Sequence, residues 1–582
     1  MNQHLSRFFL GFALLWLAAC QGNTPSTTPI AFGLPTPIPG GAATVETPIL
    51  PTATLPPTAT IGTQTAVPTP LPTPNATTAT AATAATAVPW TIFVAADAPP
   101  EFHPAAANLA AHDGRFRAGD SAATSDVVIT TLAGDAALAA WVYAVAAPFP
   151  TIPDGLSLED LQAAWQTGQL TLTADVNATL RTLWGEPEQT AVIVPAAELV
   201  DSLWAAQTGY DDLHLTVLPF DQLEPRLKVL RLDGAAPITP DFDPATYGLT
   251  VAVSVTGDEA AVTAVRDLWD GPTGNRDPAF ITTIAMTGPA GMRRAVADRM
   301  EKYGHTYPAE ETGPVLQAVD IAHMSNENAF APDCPPADPY DSDNVCNRDE
   351  YVDLMPWMGI DVVELTGNHL NDWGAWAMLH TLDLYDELGF HIFGGGRNLA
   401  EAQEPLLLQH NGNKIAFVGC NPVGPYLGWA RADYPGAAPC DDYGLITGQI
   451  RQLADEGYTV IATLQYLEDY QYAVLPEQHA AFRALADAGA AAVSGSHAHH
   501  PQGFAFRPNG SFIHYGLGNL LSDQMWTLGA RQTFIDTYVV YNGRLLSVDL
   551  WTGLTEDYAR QRLMTAVERR DLLQAVFDAS DW

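Results

Sequence analysis

Three short stretches of the chain carry side chains that can hold a cation or move a proton. The first is Gly367, Asn368, His369, Leu370, Asn371, Asp372, which follows the apolar run Asp361–Leu365. Asn368 and His369 offer an amide oxygen and an imidazole to one ion, and Asp372 is close enough to orient the imidazole. The second is Gly495, Ser496, His497, Ala498, His499 after the run Ala491–Ser494. Two imidazoles two residues apart in a turn suit a borderline divalent metal such as Mn, Zn or Fe. The third is Tyr515, Gly516, Leu517, Gly518, Asn519, whose glycines let backbone approach a ligand closely. We take His369, Asp372 and Arg293 as candidate catalytic residues, and Tyr515, Gly518 and Asn519 as candidate substrate-loop residues.

The elements that must position these groups follow from hydrophobic periodicity. Short β-rich runs at Ile281–Met286, Val319–Met324, Asp361–Thr366, Lys414–Val418, Thr459–Leu464 and Ala491–Ser494 alternate with helical stretches at Ala375–Leu388, Leu445–Glu456 and Glu477–Ala488. Strand, loop and helix repeated over residues 278–553 predict a layered α/β domain whose strand-end loops carry the chemistry. A helical tail is expected over 554–582.

An earlier body, residues 89–258, is also α/β. Thr91–Ala95 and Asp126–Thr130 read as strands, Val192–Val194 and Leu215–Leu218 as further ones. Ser157 ahead of Glu159 and Asp160 reads as a helix cap. Ala147, Pro148, Phe149, Pro150, Thr151 with the following helix and Leu183, Trp184, Gly185 resembles a phosphate-type periplasmic binding protein of the type 2 class. No helix-start cluster of Gly, Ser and Thr stands out there as an anion cradle.

The order of the chemistry-bearing loops in the second body resembles the capsule-synthesis CapA family, the poly-γ-glutamate biosynthesis proteins. The family's N-N-H-x-x-D-x-G reads here Gly367, Asn368, His369, Leu370, Asn371, Asp372, Trp373, Gly374. A glycine-rich turn follows at Gly394, Gly395, Gly396, Arg397, Asn398. The G-x-H-x-H element is Gly495 to His499, and Y-S-L-G-N is Tyr515 to Asn519. The resemblance implies a metallophosphatase-like, four-layer α/β fold with a divalent metal. Asn368, His369, His497 and His499 are then the candidates for the metal or its immediate shell, and Asn326 or Glu327 would supply an N-x-E element one residue out of register. It also implies a role in making capsule or polyglutamate-type polymer beside a membrane-bound synthase, and an anionic surface polymer as partner.

Two departures weaken a two-metal reading. The family's Gly-Asp after the first strand is Gly288, Pro289 here, and a proline side chain has no oxygen to give. The family's H-W-G-x-E-Y reads Gln465, Tyr466, Leu467, Glu468, Asp469, Tyr470, which removes an imidazole and shortens a carboxylate. A weak or single site is expected. Two functions therefore stand side by side: a metal-dependent hydrolase of phosphoester or polymer bonds, and a non-catalytic polymer-binding accessory with a degenerate site. Solute capture by the first body ranks third.

Residues 1–20 read as an export signal, with the apolar run Phe8–Ala19 closed by Leu17, Ala18, Ala19, Cys20. Small residues before a cysteine resemble a bacterial lipobox, which makes Cys20 the expected lipidation site and tethers the protein to the outer face of the cell membrane. Residues 21–88 are rich in Pro, Thr and Ala, with Glu46 the only charge. Such a segment buries too little apolar area to fold. Cys334, Cys346, Cys420 and Cys440 are an even set suited to an oxidising compartment. Short loops favour Cys334–Cys346 and Cys420–Cys440 among three pairings.

The 582 residues carry 26 Lys+Arg against 66 Asp+Glu, a net charge of −40. That field repels phosphate backbones and excludes general nucleic-acid binding. It also means that a polyanion is gripped only where cations bridge the two.

Overall fold

The computed structural model describes residues 88–582 except 133 and 135. The export-signal, lipidation and linker assignments (residues 1–20, Cys20 and 21–88) lie almost wholly outside the described residues.

The second body is built on two sheets laid face to face. The first has the order His391–Phe393, Ile360–Glu364, Ile321–Asn326, Ile281–Thr287, Gln532–Tyr541, Arg544–Glu556, Arg560–Leu563. Its first four strands are parallel and the rest antiparallel. The second has the order Leu406–His410, Asn413–Cys420, Thr459–Asp469, Ala492–Ala498, Phe512–His514, Phe504–Phe506, parallel in its four central strands. Every residue of Ile281–Thr287 is buried, as a strand covered on both faces must be.

Alternation along that strand separates two cores. Ile284 and Met286 point between the sheets, where they join Phe393, Phe417, Ile461, Phe512 and Phe534. Ala285 points outward to Val296, Met300, Met378 and Leu382 of the helices Arg294–Tyr303 and Ala375–Leu388. On the far side, Ile446 and Ile450 of Gly444–Asp455, with Phe482 and Leu485 of Pro476–Asp487, cover the second sheet. The result is helix, sheet, sheet, helix, the four-layer arrangement expected, and the protein is α/β throughout.

The first body is an eight-stranded mixed sheet, parallel at both edges and antiparallel around the long Ala137–Pro148 strand near its centre. Ser157 caps the Leu158–Gln166 helix in a capping box with Asp160. The body extends past residue 258. The Glu259–Leu268 helix packs on it, and the Asn275 side chain bonds both backbone groups of Val142 at 2.8 and 2.9 Å.

The two bodies are joined by aromatic packing. Phe149 sits 5.2 Å from Phe504 and from Phe506, and 6.3 Å from Phe577. Phe577 belongs to the Ala566–Asp578 helix, so the segment from 554 is more than a helical tail. It opens inside the Arg544–Glu556 strand and turns into Arg560–Leu563 before the helix begins. Pairing of Gly553 with Leu563 explains why that stretch is strand. Both cysteine pairs form as short loops favour, Cys334–Cys346 and Cys420–Cys440. Among the described residues no helix is long and apolar enough to cross a membrane.

Candidate functional site

The strand ends of both sheets open on one cleft of about 350 Å³, lined among others by Arg293, Glu327, His369, Glu468, His499 and Asp523. Two of these lining residues, Glu327 and His499, and the adjacent His497 each present a ligand atom, and these atoms lie within 4.8 Å of one another. All three residues are more than nine-tenths buried. Glu327 follows the Ile321–Asn326 strand of the first sheet, and the two histidines end a strand of the second.

Hydrogen bonds decide which imidazole nitrogen faces the cleft. His497 Nδ1 lies 3.0 Å from the Tyr466 carbonyl, which can only accept, so this nitrogen carries the proton. His499 Nδ1 lies 2.7 Å from Asn519 Oδ1. The Asn519 amide nitrogen donates to the Ala530 carbonyl at 2.9 Å, which fixes its oxygen toward His499. Both Nε2 atoms therefore present lone pairs. Asn519, read as a substrate-loop residue, lines the cleft but spends its side chain in holding His499.

The local backbone is shaped for this. The strand carrying the histidines runs on through Ala498, where a turn was expected after Ser494. Gln465 pairs with Ser496 and Asp469 with Ala498, so three residues of one strand bulge opposite His497 alone. The bulge brings the Tyr466 carbonyl over the imidazole. His497 sits at φ +76°, a conformation disfavoured for a residue with a Cβ and found where a site holds it in place.

Electrostatics support cation binding. Burial alone would raise the Glu327 carboxyl, but the positive charge that His499, His369 and His497 bring when protonated, with that of Arg293, outweighs burial and holds it below the usual glutamate value, a pull that a cation exerts when the imidazoles are neutral ligands. Burial holds the His497 imidazole below its usual value, against the pull of Glu327, which favours the neutral ligand form. Glu327 Oε1 is buried with no hydrogen-bond partner among the described residues, an arrangement costly in itself and relieved by a cation. A carboxylate and two imidazoles suit a borderline divalent ion, so the residues present fit the expected metal.

The other expected residues fall in different places. His369 lines the same cleft and bonds Asp372 Oδ2 through Nδ1 at 2.5 Å. Burial works against its charged form, but the bond to Asp372 and the field of Glu327 raise its pKa overall. Arg293 faces Glu327 and Asp372, makes no ion pair among the described residues, and is held below the usual arginine value by burial. Its neighbour Arg294 is paired with Asp523.

Asn368 stands outside the trio. Its Oδ1 accepts from Gln465 Nε2 at 3.2 Å, and Gln465 Oε1 accepts from Ser496 Oγ at 2.6 Å. Ser496 Oγ in turn reaches Glu364 Oε1 at 3.3 Å, and Glu364 Oε2 lies 3.1 Å from His323 Nε2. Nothing in the sequence marked Glu364 or His323, which sit inside strands and read as core positions. Pro289 pairs with Ser325, and its carbonyl accepts from Leu520 at 2.9 Å, so it anchors the Asn519 turn.

Tyr515 and Gly518 are not cleft residues. Tyr515 is fully buried under the Pro476–Asp487 helix, with its hydroxyl 3.0 Å from His479 Nδ1. Gly518, at φ +73°, is needed for packing, since a Cβ there would lie 2.4 Å from the Gln532 carbonyl.

This fold and this cleft define a four-layer α/β protein with a carboxylate–imidazole cluster where strands of both sheets end. Residues 283–524 match the family described as bacterial capsule synthesis protein PGA_cap. Capsule biosynthesis protein CapA of Bacillus anthracis is 26% identical over 267 residues, 45% of this chain and 64% of that protein. PGA biosynthesis protein CapA of Bacillus subtilis is 26% identical over 266 residues, 45% of this chain and 69% of that protein. The chain thus spans just under two thirds of the length of the first relative. Among solved structures, a phosphatase of Mycoplasma pneumoniae aligns with 50% of this chain and 99% of its own, at 12% identity and a TM-score of 0.28. An ABC-type phosphate transport receptor from Vibrio cholerae aligns with 29% of this chain and 87% of its own, at 13% identity and a TM-score of 0.23.

Proposed function

We propose that the chain works in the biosynthesis of a capsule or poly-γ-glutamate-type polymer outside the cell membrane, through one divalent cation held by Glu327, His497 and His499. The observation that carries this reading is the convergence of those three groups, with both Nδ1 atoms tied and both Nε2 atoms free. An ion there supplies Lewis-acid polarisation of a phosphoryl or acyl oxygen. Around it, Arg293, which makes no ion pair among the described residues, offers its guanidinium to an anionic substrate group. His369, oriented by Asp372, is placed to donate a proton to a leaving oxygen. The two disulfides suit an oxidising compartment, and Cys20 is the proposed lipid anchor. A membrane-bound synthase is the proposed partner.

The test uses the full chain with Mn2+ or Zn2+ supplied. Metal-dependent hydrolysis of a phosphodiester or shortening of poly-γ-glutamate, lost in Glu327→Gln, supports the hydrolase. A second reading is favoured by Pro289 and by Gln465, whose amide occupies the Asn368 oxygen. In it the chain binds polymer through the cation without turnover. Cation-dependent polymer binding with no bond cleavage selects that reading, and absence of any cation binding rejects both.

A further inference from the structure

We infer that Glu468 supplies a fourth protein ligand to the cation held by Glu327, His497 and His499, an inference that rests on the reading above. In the H-W-G-x-E-Y motif Asp469 stands at the place of the carboxylate, but Asp469 is already spent. Its Oδ1 accepts from the Tyr470 N–H at 2.7 Å, its Oδ2 from Gln502 Nε2 at 3.1 Å, and its carbonyl from the His499 N–H at 2.9 Å. Glu468 is the neighbour that the bulge turns into the cleft.

Its Oε1 lies 4.0 Å from His499 Nε2. Because His499 Nδ1 holds the proton, that Nε2 is a lone pair, and a carboxylate facing a lone pair is repelled unless a positive charge stands between them. Two ligands at about 2.0–2.1 Å from one tetrahedral ion sit about 3.4 Å apart. Glu468 lies near that distance from His499 but outside the trio whose ligand atoms are all within 4.8 Å of one another, so its side chain must swing inward to join them. The side chain is half exposed, which leaves it room to swing.

A hydrogen-bonded circuit holds it ready. Tyr470 Oη donates to Glu468 Oε1 at 2.6 Å and accepts from Gln524 Nε2 at 3.2 Å. Gln524 Oε1 accepts from Asn519, whose Oδ1 accepts from His499 Nδ1. One continuous chain of hydrogen bonds thus links the two side chains. The buried Glu327 Oε1, with no hydrogen-bond partner among the described residues, is an independent sign that a cation belongs there.

The measurement is titration of the full chain with Mn2+ alone and with Zn2+ alone, followed calorimetrically, for the wild type, Glu468→Gln and Asp469→Asn. Glu468→Gln is isosteric and half exposed, so the fold is retained, as a circular dichroism melt would verify. The expected result is one site in the wild type and affinity weakened at least about tenfold in Glu468→Gln. Equal affinities in wild type and Glu468→Gln overturn the inference while leaving the three-residue site intact. A loss confined to Asp469→Asn also overturns it. No binding by the wild type rejects the site itself.

Discussion

His497 donates its Nδ1 proton to the carbonyl of Tyr466 at 3.0 Å, across the point where a strand bulge sets three residues against one. The bond fixes the tautomer, the ring plane and the free Nε2 in a single contact. It also accounts for the φ of +76° at His497, because only a backbone turned that way sends the side chain under the bulge.

Replacing His497 separates strain from ligation. Asn tolerates the left-handed region and Ala does not. His497→Asn is expected to melt above His497→Ala, the difference corresponding to roughly 1 kcal/mol. Both should lose at least about tenfold in Mn2+ or Zn2+ affinity. An Ala variant as stable as the Asn variant would show that the backbone is not strained there.

Gly495 opens the histidine motif for a packing reason. A Cβ at this position would lie 1.9 Å from the Tyr515 carbonyl. Gly495→Ala must therefore push two buried strands apart, at a cost of more than about 3 kcal/mol. Denaturant unfolding reads the loss directly, and a neutral effect would contradict the strand spacing.

The disulfides close segments of 12 and 20 residues. Loop-closure entropy puts each at about 3 kcal/mol. The double replacement Cys420→Ser with Cys440→Ser should lower the unfolding free energy by that order in guanidinium titrations. Because Ser342 and Val345 line the cleft, the Cys334→Ser, Cys346→Ser pair should also weaken cation binding.

Lys228 gives a pH signature at the joint between the bodies. Burial pushes its pKa down to about 8, against the pull of Asp154. Its ammonium donates to the Thr151 and Ile152 carbonyls and to Asp154 at 2.7–3.0 Å. Arg569, from the C-terminal helix, grips the same Asp154 at 2.9 Å. From pH 8 up to about 10 the unfolded chain holds more protons at this lysine than the folded chain, so its contribution to stability rises with pH. Below pH 8 both states are charged and the slope vanishes. Stability of the wild type relative to Lys228→Met, compared at pH 7 and pH 9.5, should increase. The many tyrosines cancel in that difference, and parallel profiles would refute the assignment.

Much of this was legible in the order of residues alone. The helix Ala375–Leu388 has the bounds its periodicity predicts, and the run Ile281–Met286 is a strand because a short stretch rich in β-branched residues and bounded by Pro278 and Gly288 fits few other states. The loop motifs pointed to the CapA family, and short spacing pointed to both disulfides. These are local signals, carried by residues a few positions apart. What only the tertiary structure decided is set by contacts between residues tens to hundreds of positions apart. Sheet register places Glu327 against His497 and His499, and Asn519 and the Tyr466 carbonyl choose their nitrogens. A bulge turns Glu468 rather than Asp469 into the cleft, and packing under a helix takes Tyr515 out of it. Periodicity specifies which face of an element is apolar, but a one-residue slip in pairing reverses which side chain reaches a site, and no run of neighbouring residues encodes that slip.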